Sequence, residues 1–159
     1  MHVETQFSIL LVNKPGVLSG TLNALAKEKI NIIAMTMMDS VEHGMLRLVT
    51  AKPDHTRKTL QRLNVLVHET DVLCINLSNK TGALADVAAR LARAHINIGY
   101  AYCTAGARGG RTTGVLKVAD IKKAMKTLAK SKKKTAPKKT KNYAPPPPDE
   151  YKFESLIKP

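Results

Sequence analysis

The feature that most limits how this chain can fold is an internal repeat with a period of 66 residues. Nine of the twenty positions from 13 to 32 are identical to their counterparts at this offset, without a gap. The matches are "NKPGVL" (13–18) with "NKTGAL" (79–84), "INI" (30–32) with "INI" (96–98), Val49 with Val115, and Asp54 with Asp120. We therefore expect a tandem duplication in which one small fold is built twice.

Each copy predicts the same order of strands and helices. The stretches 7–12 ("FSILLV") and 72–77 ("VLCINL") are short, apolar and rich in β-branched residues, which is typical of buried strands. A helix with apolar residues at helical spacing follows, then two strands that form a hairpin, then a second helix. Asp54 and Asp120 precede the second helices, and we expect both to cap them. In the first copy, residues 65–70 can supply a fourth strand.

This order, βαββαβ, predicts an α+β protein of two tandem ferredoxin-like units, with the helices on one face of antiparallel sheets. We place the first unit at residues 1–70 and the second at 71–129, followed by a tail at 130–159. The second unit passes directly from its second helix into the tail, so its fourth strand is missing, shortened or supplied from elsewhere. The stretch 151–157 ("YKFESLI") could return as an edge strand or stay disordered.

The tail combines a lysine run with a block of prolines, and such a sequence is too polar and too rich in proline to bury itself. From Ala129 onward there are nine lysines and three acidic residues, which account for +6 of the net charge of +14. This segment could bind nucleic acid or an acidic protein surface by displacing counterions, or could simply keep the chain in solution. The lysines concerned are Lys130, Lys132, Lys133, Lys134, Lys138, Lys139 and Lys141.

Other features of the composition argue against several classes of protein. No stretch is apolar enough to span a membrane and none has the pattern of a signal peptide, so we expect a cytoplasmic protein without membrane contact. Cys74 and Cys103 belong to no CxxC motif, and we expect two buried free thiols. The five histidines show neither metal-ligand spacing nor a catalytic Ser or Cys partner. We therefore expect no metal, no cofactor and no enzymatic activity.

The repeated turn, the helix after it and the "INI" strand start, present twice in the same order, resemble the ACT domain, a small regulatory module of amino-acid metabolism. The resemblance covers roughly residues 3–128 and extends to stand-alone bacterial proteins made of two ACT units. It implies a regulatory, non-catalytic protein that binds a free amino acid or a similar small metabolite, forms a homodimer and controls an enzyme.

The resemblance also implies where the ligand lies. In this family it occupies a seam between two units, held by the first strand-to-helix loop of one unit and the start of the second strand of a neighbour. The residues at the matching positions are Asn13, Gly16, Val17, Leu18, Asn31 and Ile32 in the first unit, and Asn79, Gly82, Ala83, Leu84, Asn97 and Ile98 in the second.

Two departures from the family pattern affect this expectation. Some serine-binding members carry a histidine two residues before the loop asparagine, where this chain has Leu11 and Leu77, so serine is not supported as the ligand. Thr81 stands in the second loop where the first has Pro15, so the backbone φ of that turn is less restricted. The two sites therefore need not be equivalent.

The loop residues suit an amino-acid ligand on physical grounds as well. A glycine at the turn lets a ligand approach the backbone, and the first amides of the helix are unpaired donors at the positive end of its dipole, which attracts a carboxylate. An asparagine amide oxygen could accept a hydrogen bond from the ligand's ammonium group. Alternatively, Asn13 and Asn79 only form the turns, and Asn31 or Asn97 only ends a helix.

Two further groups of side chains each allow two interpretations. The methionines of the first hairpin could line an adaptable pocket, but we expect them to fill the core; they are Met35, Met37, Met38 and Met45. Tyr100 and Tyr102 point to one face of their strand, where the first unit has Ala34 and Thr36. This pair could favour a pocket on the second unit or could pack against another part of the sheet.

Overall fold

The computed structural model describes residues 1–38, 42–78, 80–104 and 111–129. Within those ranges the chain forms six strands and four helices. The elements in chain order are β1 (His2–Val12), α1 (Val17–Lys27), β2 (Ile32–Met38), β3 (His43–Thr50), α2 (Pro53–Arg62), β4 (Leu66–Ser78), α3 (Ala83–Arg93), β5 (Ile98–Cys103), β6 (Arg111–Val118) and α4 (Ile121–Ala129).

All six strands belong to one antiparallel sheet with the order β2-β3-β1-β4-β6-β5. One face of the sheet carries two apolar cores. The first lies under α1 and α2 and includes Phe7 and Leu25; the second lies under α3 and α4 and includes Leu73 and Leu91. Each core joins the apolar side of two helices to alternate residues of the strands. The predicted α+β architecture of two ferredoxin-like units is thereby confirmed.

The fourth strand of the second unit comes from the first strand of the chain. The N-terminal half of β1 pairs with β4 from His2 opposite Cys74 to Thr5 opposite Asp71, beside the part of β4 that opens the second unit. The same two strands continue in register until Leu10 faces Leu66, where β4 acts as the fourth strand of the first unit. The first unit thus completes the sheet of the second, while its own fourth strand is the N-terminal part of β4. The boundary that we predicted between residues 70 and 71 falls inside β4.

The repeat does not keep one offset throughout. In the first hairpin Ile32 faces Thr50, 18 residues later, whereas in the second Ile98 faces Val118, 20 residues later. The second hairpin is therefore two residues longer, and the offset becomes 68 after it. The predicted pairs of Val49 with Val115 and of Asp54 with Asp120 are consequently not structural equivalents.

The helix caps follow from this shift. The Oδ1 atom of Asp120 accepts a hydrogen bond from the Lys123 amide at 2.8 Å, so the predicted cap of α4 is present. The prediction for Asp54 was wrong, because α2 already begins at Pro53 and its N-cap residue is Lys52, which makes no side-chain cap. Asp54 lies in the first turn instead, where its carboxylate interacts favourably with the positive end of the helix dipole.

The face without helices is concave. In a flat sheet the backbones of β1 and β5 would stand about 14 Å apart, and side chains perpendicular to the sheet would not meet across that distance. The Gln6 side chain on β1 nevertheless contacts the Tyr100 hydroxyl on β5 at 2.6 Å. Both edge strands have a register shift, after Ile32 in β2 and after Ile98 in β5, and bulges of this kind bend a strand and increase its twist. A third apolar cluster, which includes Val72, fills this concave face.

The edges of the sheet account for two predictions that the structure contradicts. Met35, Met37 and Met38 do not fill the core, because β2 is an edge strand and these side chains are 40–46% exposed. Cys74 is buried at the centre of the sheet as predicted, but Cys103 ends the other edge strand and is exposed. Neither cysteine forms a disulfide.

Candidate ligand-binding loops

The two strand-to-helix turns have nearly the same geometry. Gly16 and Gly82 occupy the N-cap positions of α1 and α3 with φ values of 89° and 84°, in the left-handed region that favours glycine. Neither helix has a side-chain cap. A Cβ atom at either glycine would meet nothing within 4 Å, so glycine is needed here for its backbone conformation and not for lack of space.

Two amides in the first turn of α1 lack a backbone acceptor among the described residues. The Val17 amide donates to the Lys14 carbonyl at 3.3 Å, but the amides of Leu18 and Ser19 have no backbone acceptor within the described part of the chain. These amides stand at the positive end of the helix dipole, and α1 has no acidic residue in its first turn. The α1 start can therefore accept a carboxylate.

The second loop repeats this arrangement with one electrostatic difference. The Ala83 amide donates to the Lys80 carbonyl at 3.1 Å, and the amides of Leu84 and Ala85 find no backbone acceptor among the residues that are described. However, Asp86 lies in the first turn of α3 with its side chain 66% exposed. Its carboxylate competes with an anionic ligand for the same helix end.

The asparagines have different surroundings. Asn13 is exposed. Its backbone N–H donates to the Glu42 carbonyl at 2.9 Å, which connects the first loop to the residue before β3. Asn79 lies outside the described residues. The residues that end α1 and α3 in the left-handed conformation are Lys29 and His95, so Asn31 and Asn97 do not close these helices. Both have exposed side chains at the start of the second strands.

The apolar members of the predicted set also differ. Ile32 and Ile98 turn toward the helices and pack against the two cores, so their side chains are partly buried. Val17 and Leu18 pack partly against the first core, whereas Leu84 is 42% exposed. The second loop thus presents more apolar surface to solvent than the first.

A single chain does not bring the predicted residues together. Because β1 and β4 are antiparallel, Val12 and Ser78 leave the sheet at opposite ends, roughly 45 Å apart along the strands. Asn31 follows the far end of α1, whose 11 residues span about 16 Å from the loop that starts the helix. Ile32 and Ile98, at the starts of the second strands, both lie level with Thr5 in β1, about 23 Å along the strands from either loop. The chain alone therefore does not form a seam between a loop and a second-strand start.

The structure also contains a polar cluster that we did not predict as a site. On the concave face, Gln6 and Arg47 of the first unit contact Tyr100 and Tyr102 of the second. Burial, followed by the neighbouring Tyr100, raises the pKa of the Tyr102 hydroxyl above its ordinary value. The tyrosine pair was the only signal in the sequence, since nothing in the repeat indicates that β5 lies across β1.

Other predicted contacts find no counterpart in these loops. The tail lysines lie outside the described residues. A cavity of about 300 Å³ lies between α2 and the start of β4, beside Arg57 and Leu66, and is lined by none of the predicted site residues. In the described ranges no group of three His, Cys, Asp or Glu side chains could hold a metal ion, and no helix is long and apolar enough to cross a membrane.

Comparison with known proteins agrees with this architecture. The protein BT0572 from Bacteroides thetaiotaomicron, a solved structure, is 33% identical, with a TM-score of 0.74 over 80% of this chain and 87% of that chain. The regulatory subunit of aspartate kinase from Thermus thermophilus, in a ligand-free form, is 12% identical, with a TM-score of 0.61 over 84% of this chain and 99% of that one.

The corresponding subunit from Thermus flavus is 15% identical, with a TM-score of 0.57 over 80% and 92% of the two chains. No curated protein sequence gives a significant match. The family described as "ACT domain pair" matches residues 1–139, which is most of the sequence. The two repeated units, the shared antiparallel sheet and this match together show that the chain belongs to the ACT domain family, as a pair of ACT domains.

Proposed function

We propose that this protein is a non-catalytic regulator that binds a free amino acid at the start of α1. The observation that carries the proposal is the pair of amides beyond Gly16 that have no backbone acceptor among the described residues, in a turn that this chain builds twice. The fold is also that of aspartate kinase regulatory subunits, which supports a regulatory role. The regulated enzyme would recognise the liganded arrangement of the protein.

The chemistry of the site suits a zwitterion. The ligand carboxylate would accept hydrogen bonds from the amides of Leu18 and Ser19, and the helix dipole would add to the attraction. The ligand ammonium needs an acceptor, which the exposed amide oxygen of an Asn31 side chain can supply. Each hydrogen bond contributes about 1 kcal/mol net, so we expect micromolar to millimolar affinity.

A second copy of the chain would complete the site. Among the described residues β2 pairs with β3 alone, so its other edge can accept a strand from a second copy. If two β2 strands pair in an antiparallel sense, the partner's Asn31 comes level with Met38, which lies at the same end of the sheet as the loop after Val12. A homodimer would therefore bring together the groups that one chain separates.

The two loops of each chain should bind unequally. The start of α1 has no acidic side chain, whereas Asp86 stands at the start of α3 and disfavours a second carboxylate. We therefore expect one amino acid per chain, at the loop that contains Gly16. Binding would favour whichever dimer arrangement holds the ligand more tightly, and an enzyme that contacts only that arrangement would sense the ligand.

Calorimetric titration with the twenty amino acids tests the site. Gly16→Ala introduces a Cβ at a φ of 89° and strains the turn that positions Leu18 and Ser19, so binding should weaken at least tenfold. Gly20→Ala is the matched control, because Gly20 lies in the same helix without a positive φ and with open space around it. Gly82→Ala should leave the tighter binding event unchanged.

Two results would contradict the proposal. One is that no amino acid binds the wild-type protein. The other is that the folded Gly16→Ala variant, with its unfolding midpoint verified, keeps the wild-type affinity. The dimer is tested separately by sedimentation with and without the amino acid that binds, since a strictly monomeric liganded protein would exclude a seam between copies.

A further inference from the structure

The polar cluster on the concave face is a second, independent place where the chain could hold a ligand. Gln6 at its centre is completely buried. Its Nε2 atom donates to the Tyr100 hydroxyl at 2.6 Å and to the Ser8 hydroxyl at 3.2 Å, and its Oε1 atom accepts from the Tyr102 hydroxyl at 3.0 Å. Both hydrogens and the oxygen of the amide are therefore in use.

Counting donors and acceptors shows an excess of donors in this cluster. The hydroxyl oxygens of Tyr100 and Ser8 each accept from Gln6, which leaves the hydrogen of each hydroxyl with no acceptor among the described residues. Arg47 adds a guanidinium group, which has donors only. An oxygen that carries a negative charge can accept hydrogen bonds from these excess donors.

Arg47 has an unusual set of partners for a half-buried cation. Its guanidinium carbon lies 4.0 Å from the centre of the Tyr100 ring, so the charge is held over the aromatic face. Its Nε atom is buried and has no hydrogen-bond partner in the part of the chain that the structure describes. Among the described residues no carboxylate lies within 4 Å, and Glu4 on the same face of β1 contacts His2 instead, at 3.1 Å.

The acceptor that Arg47 does use is a weak one. Its Nη1 atom donates to the Sδ atom of Met38 at 3.5 Å. A thioether sulfur accepts hydrogen bonds poorly, and the Met38 side chain is flexible and 46% exposed. A carboxylate or phosphate oxygen would replace this contact with a stronger, charge-assisted one, at little cost in displacing Met38.

The cluster is not part of the repeat. With the offset of 66 in β1 and 68 after the hairpin, the second unit has Val72 where the first has Gln6, and Val115 where the first has Arg47. The second unit contributes the two tyrosines in exchange. The polar groups therefore occur once per chain, and neither duplicated loop contributes to them.

We propose that Arg47, with the hydroxyls of Tyr100 and Ser8, binds one oxyanion of a small molecule, a carboxylate or a phosphate, on the concave face. This site is separate from the amino-acid site at Gly16. Because it joins a strand of the first unit to the edge strand of the second, its occupation would hold the sheet in its curled form. The loops and this site can therefore be tested independently.

Titration of the full chain with inorganic phosphate and with succinate tests the proposal, and the tighter of the two probes identifies the oxyanion. The signal to follow is the Arg47 Nε–H resonance in nitrogen-edited NMR, which should move to a saturating value. Arg47→Gln should weaken binding about 10- to 100-fold, and Tyr100→Phe, which keeps the ring, about three- to tenfold. Arg62→Gln is the control for charge, since Arg62 is exposed on α2 and pairs with Glu28.

Several outcomes would overturn the proposal. An Arg47 Nε–H signal that neither probe shifts, or an Arg47→Gln protein that loses no more affinity than Arg62→Gln, would exclude the site. A change in sedimentation on Arg47→Gln without any anion-dependent signal would mean that a second copy occupies this face instead. If Arg47→Gln fails to fold, Arg47→Lys keeps the charge and removes the Nε donor, and it should still weaken binding about tenfold.

Discussion

The contact between Gln6 and Tyr102 provides the sharpest test of the curled sheet, because the two residues belong to strands that are separated by β4 and β6. In the variant Tyr102→Phe, the buried Oε1 atom of Gln6 loses its donor, which costs about 1–3 kcal/mol of unfolding free energy. In Gln6→Leu, the Tyr102 hydroxyl loses its acceptor, and Tyr100 and Ser8 lose a donor. The cost of that change should be about 2–4 kcal/mol.

The double variant should cost less than the sum of the two single variants. In the double variant neither the Gln6 amide oxygen nor the Tyr102 hydroxyl remains to be left unpaired, although Tyr100 and Ser8 still lack the Gln6 donor, so the sum should be reduced by about 1–2 kcal/mol. Urea unfolding followed by circular dichroism at one pH gives the three differences. As a control, Thr21→Val removes another buried hydroxyl, which donates to the Val17 carbonyl in α1, and should be additive with Gln6→Leu within about 0.5 kcal/mol.

Strict additivity of Gln6→Leu and Tyr102→Phe would refute this reasoning. It would mean that β5 does not lie across β1 in solution and that the tyrosines face solvent. If Thr21→Val and Gln6→Leu showed a coupling energy of the same size, the reasoning would also be refuted, because the coupling would not depend on contact between the two residues. Only coupling confined to the concave face agrees with the structure.

Three further predictions concern titratable groups. Burial raises the pKa of the Cys74 thiol to about 11, so a thiol reagent at pH 8 should label Cys103 within minutes and Cys74 only on unfolding. Burial raises the pKa of the Tyr102 hydroxyl above its ordinary value of 10, so the unfolding free energy should fall as pH rises past 10. Tyr102→Phe should remove the last ionisation step from the tyrosine absorbance titration at 295 nm. The Arg57 guanidinium donates two hydrogen bonds to the Glu69 carboxylate and lowers the pKa of that carboxyl below 4.5. The stability that this pair supplies is present above pH 4.5 and is lost as pH falls through the lower folded pKa. In Glu69→Gln the urea midpoint should therefore decrease less steeply as the pH is lowered.

The parts of the fold that follow from local sequence could be predicted from the repeat alone. The turns at Gly16 and Gly82 need a left-handed residue before a helix, and glycine at that position indicates it directly. The order of strands and helices follows from apolar periodicity. The donors of the candidate site follow in turn, because any helix start leaves unpaired amides.

The parts that depend on distant pairing could not be predicted. Nothing local in His2–Thr5 indicates that these residues complete the second unit, because their partners lie some 70 residues along the chain and register is set by long-range packing. The exposure of Met35 has the same origin, since hydrophobicity predicts burial without showing which strand becomes an edge. The contact between Arg47 and Tyr100 required the curl, which arises from bulges that the sequence does not mark.

The half-strand that the second unit borrows from the first also determines how the chain can be divided. Residues 1–70 contain every strand of the first unit, whereas residues 71–129 lack His2–Thr5, which pair with residues 71–74. A cut at residue 71 should therefore leave the first unit able to fold and leave the second with an unpaired edge on its first strand. We expect the second fragment to be insoluble alone and to assemble when it is mixed with the first. The duplication has thus produced a fold whose second copy begins at residue 2.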